Sequence, residues 1–240
     1  MSNQFFLIDT TNADSTDKLA NVIMKQPVVN KNSKMQITSI PIVYVDPETG
    51  IEKKPFLKTA DLRFPFGTTQ HEGVSRPKFS GLASFNDLGE SEAQTNTLNF
   101  LKKFDERIIE LACAQPAWVG REDGDPEAVI KAFHQPLVKN SKHKNEDGGD
   151  KYPPQLNVKF PTYPDGNFRT KVFADKTTKL PPPPESIVNN SRCSCVLNMS
   201  NMYLVGGKFG ITVEAEQVRT TPVQQKVADV CLLSDSEDED

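Results

Sequence analysis

Apolar and polar residues alternate along several short segments of the chain, as they do in half-buried β-strands. We predict strands at residues 28–29, 35–45, 56–66 and 78–85. The second of these is followed by the turn-forming sequence Asp46-Pro47-Glu48-Thr49-Gly50, which indicates a hairpin. The first third of the protein is therefore expected to be built from strands.

The C-terminal half has the same character. Strands are predicted at 155–160 and 168–174, and a longer pair at 192–205 and 208–218. The long pair flanks Gly206-Gly207, and a two-residue loop that tolerates positive φ at both positions is typical of a tight hairpin. This hairpin is the clearest local structural signal in the sequence.

Between the two strand-rich regions, apolar residues recur every three to four positions from 91 to 114. This spacing predicts an amphipathic helix, which Ser91 or Thr95 can cap and which Pro116 ends. A short second helix is expected from about 125 to 133. Strands with one helical region in the middle favour a small barrel decorated by insertions.

Two further segments have a distinctive composition. Residues 139–154 have no apolar period and are predicted to form a mobile polar loop. The four prolines at 181–184 predict a stiff extended spacer. The single tryptophan, Trp118, is expected to anchor the helical insertion to the barrel.

Charge is unevenly distributed. The 240 residues carry a net charge of −4, but five acidic residues lie in the last six positions, and the rest of the chain has 28 basic against 27 acidic side chains. Residues 151–226 hold ten basic and five acidic residues. A mildly cationic surface suits an anionic polymer. Ordinary surface charge with an acidic solubility tail explains the same numbers.

The sequence motifs of common enzyme classes are missing. No glycine-rich phosphate loop is present, and the three histidines are not spaced to complete a zinc site with Cys193 and Cys195. Residues two apart in a strand share one face, so these cysteines are expected in the core. We predict no enzymatic activity, no metal and no cofactor, and a metal-dependent nuclease is the weakest alternative.

No apolar run approaches the roughly 20 residues that a membrane-spanning helix needs. Phe5-Phe6-Leu7-Ile8 is too short for a signal-peptide core, and the four cysteines are too few to staple the chain. We therefore expect an intracellular protein with no membrane partner.

Basic and aromatic residues are interleaved on the predicted strands, most clearly at 63–66, 78–79, 159–160, 168–173 and 208–209. Single-stranded nucleic acid is bound by cationic grooves that follow phosphates and by rings that stack on bases. The candidate stacking rings are Phe66, Phe79, Phe173 and Phe209. The candidate phosphate contacts are Arg63, Lys78, Lys159, Arg169, Lys171 and Lys208. The same pattern is also produced by any half-buried sheet with its rings in the core.

Several motifs occur in an order that resembles one protein family: Leu62–Gly67, Lys78–Leu82, Phe104–Ile109 with Trp118, Tyr152–Lys159 and Gly207–Val213 followed by Gln217-Val218. Over residues 30–222 the chain resembles the single-stranded-DNA-binding proteins of nucleocytoplasmic large DNA viruses. The resemblance implies an OB-fold-like barrel with a helical insertion at about 91–134. It also implies single-strand binding in viral replication, recombination or repair, in the cytoplasm or nucleus of a host cell.

We expect a mainly β domain at 1–227 and a disordered acidic tail at 228–240. In the tail, apolar residues precede the acids, an order similar to that of SUMO-interacting motifs. The candidate partner-binding residues are Val230, Leu232, Leu233, Asp235 and Glu237. The leading prediction is a sequence-nonspecific single-stranded-DNA-binding protein that contacts replication or recombination proteins, or SUMO, through the tail. The alternative is a protein-interaction scaffold that acts through it.

Overall fold

The computed structural model describes residues 5–30, 37–71 and 77–220. Most of their regular structure is β. The strands are β1 (Phe5–Asp9), β2 (Val22–Met24), β3 (Val28–Asn30), β4 (Ile37–Val45), β5 (Glu52–Lys58), β6 (Leu62–Phe64), β7 (Thr69–His71), β8 (Lys78–Ser84), β9 (His134–Gln135), β10 (Val138–Lys139), β11 (Gln155–Phe160), β12 (Lys171–Phe173), β13 (Ser191–Val205) and β14 (Lys208–Thr220).

The two longest α-helices occupy the middle of the chain, and further helices lie nearer its ends. The long helix is α1 (Glu92–Ala114), and the short ones are α2 (Glu127–Phe133) and α3 (Pro183–Ser186). Two 3-10 helices cover Ala13–Asn21 and Pro116–Val119. Ser91 caps α1, because its hydroxyl accepts a hydrogen bond from the Gln94 amide at 3.3 Å. The helical insertion predicted from the apolar period is thus confirmed, with Ser91 rather than Thr95 as its cap.

The long hairpin β13–β14 organises the sheet. Gly206 and Gly207 form its turn with φ values of 57° and 76°, which confirms the predicted two-residue loop. The other edge of β13 pairs in turn with β6, β5 and β4, while the other edge of β14 pairs with β9, β11 and β12. Register shifts after Val196 and Asn198 bend the hairpin, so one strand can serve three neighbours.

Strand pairing forms a closed circuit through β13, β6, β8, β11 and β14. Two junctions of this circuit consist of a single residue pair each, Arg63 with Ser84 and Lys159 with Glu214. The structure is therefore mainly β with a helical insertion, as expected, but it is not a regular barrel. The finer OB-type assignment stays a prediction.

The core lies inside this circuit and beneath α1. Strand side chains that point inward are buried, including Phe64, Phe160 and Leu197, and α1 contributes Phe100 and Phe104. Trp118 is partly buried against the same core, the place predicted for it. Burial of these large side chains is the main source of stability for such a fold.

Buried polar groups fasten α1 to the strands. The Thr97 hydroxyl accepts hydrogen bonds from the Thr10 hydroxyl at 3.0 Å and from the Ala60 amide at 3.2 Å. The Gln94 amide group donates to the Asp61 carbonyl at 2.7 Å. Because these groups have partners, their burial carries little penalty, and the helix is held in one orientation on the sheet.

Close packing requires glycine at two positions, one after β6 and one within β8. Gly67 has φ of +58°, and a Cβ there would lie 2.6 Å from the carbonyl oxygen of Ile187. A Cβ on Gly81 would lie 2.8 Å from a ring carbon of Phe64. Any side chain at either position would therefore displace a neighbour.

Several predicted boundaries are wrong. The run 56–66 is divided between β5 and β6, because the Thr59 hydroxyl accepts from the Cys195 amide at 3.0 Å and donates to the Ala60 carbonyl at 2.9 Å. The predicted strand 168–174 is only three residues long. The proline spacer turns into α3, where the Ile187 amide donates to the Pro183 carbonyl at 2.8 Å.

The polar segment 139–154 starts with the end of β10 and contains an isolated bridge between Lys144 and Asp150. Apart from that bridge, residues 140–154 form no strand or helix. Its predicted character as a polar loop agrees with this, while its mobility is not tested by the structure.

Candidate nucleic-acid interface

A cationic groove runs along the outer face of β8 and β11, and we call it the β8–β11 groove. It is formed by two adjoining cavities of about 310 and 440 Å³ that share His71, Ser80 and Asn157. The groove is defined by Phe66, His71, Lys78, Lys139, Asn157 and Lys159.

Strand alternation places these side chains on one face. In β11, Leu156, Val158 and Phe160 are buried, whereas Asn157 and Lys159 point outward. Lys159 lies opposite Ser80 of β8, and Lys78 is two residues from Ser80 and therefore on the same face. The local sequence thus determines which side chains line the groove, and the pairing of β8 with β11 brings them together.

Three lysines and one carboxylate set the charge of the groove. Lys78, Lys139 and Lys159 line it together with Glu214. Although the Lys159 side chain is exposed, nearby protein atoms desolvate its ammonium and lower its pKa, an effect opposed by Glu214 and reinforced by Lys78. Its ammonium also lies 5.9 Å from the ring centre of Tyr203. A bound phosphate would restore the favourable surroundings that this ammonium lacks.

Phe66 presents an exposed ring at one end of the groove. Its side chain is 64% exposed, the highest value among the large hydrophobic residues of the described part of the chain. The Gly67 amide donates to the Phe64 carbonyl at 3.2 Å, so the chain turns at Pro65 and Phe66 and does not continue β6. The turn directs the Phe66 ring to solvent, where a base could stack on it.

A second groove follows β12 and the end of β14, and we call it the β12–β14 groove. Its cavity of about 390 Å³ is defined by Lys58, Phe173, Lys176, Val196, Gln217 and Arg219. A smaller adjoining cavity of about 270 Å³ shares Lys176 and Arg219 and adds Arg192 and Asp61. Phe173 is half-buried here and lies on the same outer face as Lys171, two residues before it.

A polar cluster separates the two grooves on β14. The Arg169 guanidinium lies 3.8 Å from a carboxylate oxygen of Glu214 and 3.3 Å from one of Glu216. The Asn198 side-chain amide donates to Glu216 at 3.0 Å. One arginine therefore faces two carboxylates, and this cluster carries a net negative charge between two cationic grooves.

The structure brings four of the predicted DNA-binding residues together: Phe66, Lys78, Phe79 and Lys159 all line the β8–β11 groove. Phe79 is partly buried, with its ring centre 4.8 Å from that of Phe168, so it offers less ring surface than Phe66. Phe173 lines the other groove. The Arg63 guanidinium donates to the Asn190 side chain at 2.8 Å on the adjoining face.

The structure corrects the assignment of Phe209 and places Arg169 and Lys208 apart from the other predicted contacts. Phe209 has 0% exposure and packs beside His134 with ring centres 5.3 Å apart, so no base can stack on it in this structure. Arg169 lies 3.3 and 3.8 Å from the carboxylates of two glutamates, with which a phosphate would have to compete. Lys208 is exposed next to the hairpin turn and lines neither groove.

The predicted partner-binding residues Val230, Leu232, Leu233, Asp235 and Glu237 lie outside the described residues. Groove residues that sequence reasoning missed include His71, Lys139, Lys176 and Arg219. Asn157 could have been found from the alternation of β11 alone. The others come to the grooves through pairing between distant strands, for which the sequence carries no local signal.

The structure offers no metal centre within residues 5–30, 37–71 and 77–220, where no three His, Cys, Asp or Glu side chains converge. Burial raises the pKa of the Cys193 thiol to about 12, and Cys195 is fully buried beside it. The two cysteines are core residues, as expected. Within the same ranges no helix has the length and apolarity needed to cross a membrane.

Comparison with known proteins gives structural likenesses but no sequence match. No protein-family model matches the chain, and no curated protein matches it at a significant level. Among solved structures it is similar to the single-stranded DNA-binding protein from bacteriophage Enc34, with 13% identity, a TM-score of 0.41, and coverage of 85% of this chain and 98% of that chain. A TM-score this low does not establish a shared fold or function, so we infer the function from the two grooves.

Proposed function

We propose that this chain binds single-stranded DNA without reading its sequence, using an OB-type arrangement of strands. The observation that carries the proposal is the β8–β11 groove, in which three lysines lie on one sheet face beside the exposed ring of Phe66. Lysines follow phosphates, and a ring stacks on any base because every base has a π-face.

Single strands are favoured over duplex by the position of the ring. Phe66 lies at the end of a groove whose floor is formed by Ser80 and Gly81, so a base must leave a helical stack to reach it. Paired bases are stacked on one another and offer only their edges in the grooves of the duplex. The amide side chains of Gln155 and Asn157 can bond either donors or acceptors, which suits a sequence-tolerant site.

The proposed role is to coat unwound DNA in replication, recombination or repair, inside cells, in the viral replication compartment that the family resemblance implies. This role requires no catalysis. The acidic tail is proposed to contact replication or recombination proteins, or SUMO. In the scaffold alternative, those contacts are the main function of the protein.

A titration of full-length protein into labelled single-stranded DNA, duplex DNA and RNA at two salt concentrations tests the proposal. We expect preference for the single strand and a log–log salt slope of about −2, since each of three neutralised phosphates contributes about −0.7. Lys78→Ala/Lys159→Ala should weaken binding and flatten the slope, whereas the exposed pair Lys102→Ala/Lys103→Ala on α1 should change neither. Duplex binding of equal affinity would overturn the proposal, and SUMO capture without DNA binding would favour the scaffold.

A further inference from the structure

We propose that the β12–β14 groove is a second subsite for the same DNA strand, joined to the β8–β11 groove across β14. This inference rests on the proposed function and deepens it by assigning a path and a length to the bound strand. The residues it adds are Lys176, Gln217 and Arg219.

Continuity along β14 is the first argument. Glu214 lines one groove, and Gln217 and Arg219 line the other. The burial pattern of β14 places all three outside the core, with Val213, Ala215 and Val218 facing inward. A DNA strand that leaves the β8–β11 groove and crosses β14 therefore reaches the β12–β14 groove directly.

Available charge is the second argument. Lys171 and Lys176 have no ion-pair partner among the described residues, and Arg219 lies 3.9 Å from Asp61 with more than half of its side chain exposed. Asp175 also lines this groove, and its ionised carboxylate offsets part of the positive charge without forming an ion pair with Lys176 or Arg219. Its carboxylate accepts hydrogen bonds from the amides of Thr177 and Thr178, which hold its pKa at about 2. The groove thus retains free cations for phosphate.

The β12–β14 groove also contains an aromatic ring and an apolar wall. Phe173 and Val196 line the same cavity as Lys176 and Arg219. This is the combination of stacking surface and phosphate contacts found in the β8–β11 groove. An acidic peptide could use the cations, but it has no base to place against Phe173, so nucleic acid fits the whole cavity better.

The Arg169 cluster defines the crossing between the subsites. Glu214 and Glu216 face one arginine, so phosphates are disfavoured at this point and the strand should cross with its phosphates turned away. From Glu214 to Arg219 the strand β14 advances about 16 Å, and three strand spacings across the β8–β11 groove add about 14 Å. Including the width of the second groove, the path is about 40 Å. This corresponds to at most about 12 nucleotides, because a stacked strand rises about 3.4 Å per nucleotide and unstacked bases lie farther apart.

Oligonucleotide length separates the two subsites. With full-length protein, dT15 should engage both grooves, whereas dT6 should bind the β8–β11 groove alone. Lys176→Ala/Arg219→Ala removes two exposed cations and should weaken dT15 binding roughly tenfold while leaving dT6 binding unchanged. Lys78→Ala/Lys159→Ala should weaken both, and the matched pair Lys102→Ala/Lys103→Ala should weaken neither.

Three results would overturn the inference. Equal loss for dT6 and dT15 in Lys176→Ala/Arg219→Ala would mean that no separate subsite exists. Unchanged dT15 binding in that variant would remove the second groove from the path while leaving the proposed function intact. If decaglutamate binds the wild type and loses its affinity in the same variant without any change for dT15, the groove is a site for acidic peptides. Failure of the wild type to bind either oligonucleotide would instead refute the proposed function itself.

Discussion

Phe66→Ala tests the role of the exposed ring most directly. With 64% of Phe66 exposed, only about a third of the residue is buried. Truncating a fully buried Phe costs about 3–5 kcal/mol of folding stability, so this variant should lose only about 1–2 kcal/mol. If a base stacks on the ring, binding should weaken by about 1–3 kcal/mol, roughly fivefold to 150-fold. The assays are a fluorescence titration with dT15 and a thermal melt.

Two comparison variants make this result interpretable. Phe5→Ala removes another exposed ring, 42% exposed on the outer face of β1, and should leave DNA affinity unchanged. Phe209→Ala removes a ring with 0% exposure and should cost about 3–5 kcal/mol of stability, while the folded fraction binds normally. The reasoning is refuted if Phe66→Ala binds as tightly as wild type, or if Phe5→Ala weakens binding to the same degree.

Two further predictions concern pH and the tail. Burial raises the pKa of Asp105, whose carboxylate lies 3.2 Å from His134 and accepts from the Leu137 amide at 2.9 Å, with Glu106 raising it further. The Asp105 carboxylate is therefore protonated at a higher pH in the folded state than in the unfolded state. As pH falls from 7 toward 4, the unfolding free energy of wild type relative to Asp105→Asn should rise in denaturant melts. A constant difference between the two proteins would contradict this. Deleting 234–240 should tighten dT15 binding at low salt and not at high salt, because a tethered anion competes for the cationic grooves only when unscreened; equal affinities of the full-length and 1–233 forms at low salt would exclude competition.

Local sequence features predicted much of the fold. The apolar period of α1, the glycine turn between β13 and β14 and the alternation of β11 depend on residues close together in the chain, and each lies where it was expected. The break at Thr59 was missed because it depends on a hydrogen bond to Cys195, a residue 136 positions away. Predicted strand boundaries are therefore wrong where a hydrogen bond to a residue distant in the sequence interrupts the regular strand pairing.

The site was only partly predictable for the same reason. Lys78 and Lys159 were recognised from their own strands, and β8 pairs with β11 in a register that brings them to one face. Arg169 was expected to contact phosphate, but the neighbouring strand supplies Glu214 and Glu216 as partners. Whether a basic residue is free or paired depends on which strand lies beside it, and alternation within one strand contains no such information.

The end of a β-strand explains why the Phe66 ring is available for stacking while the Phe209 ring is not. Phe64, Phe160 and Phe209 lie within strands at core-facing positions and are fully buried. By its position two residues after Phe64, Phe66 would also face inward if β6 continued. The turn closed by the Gly67 amide ends β6 at Phe64 and sends the next ring outward. A stacking ring in such a sheet can therefore arise where an aromatic residue follows the end of a strand, because continued strand periodicity would have placed the Phe66 ring in the core.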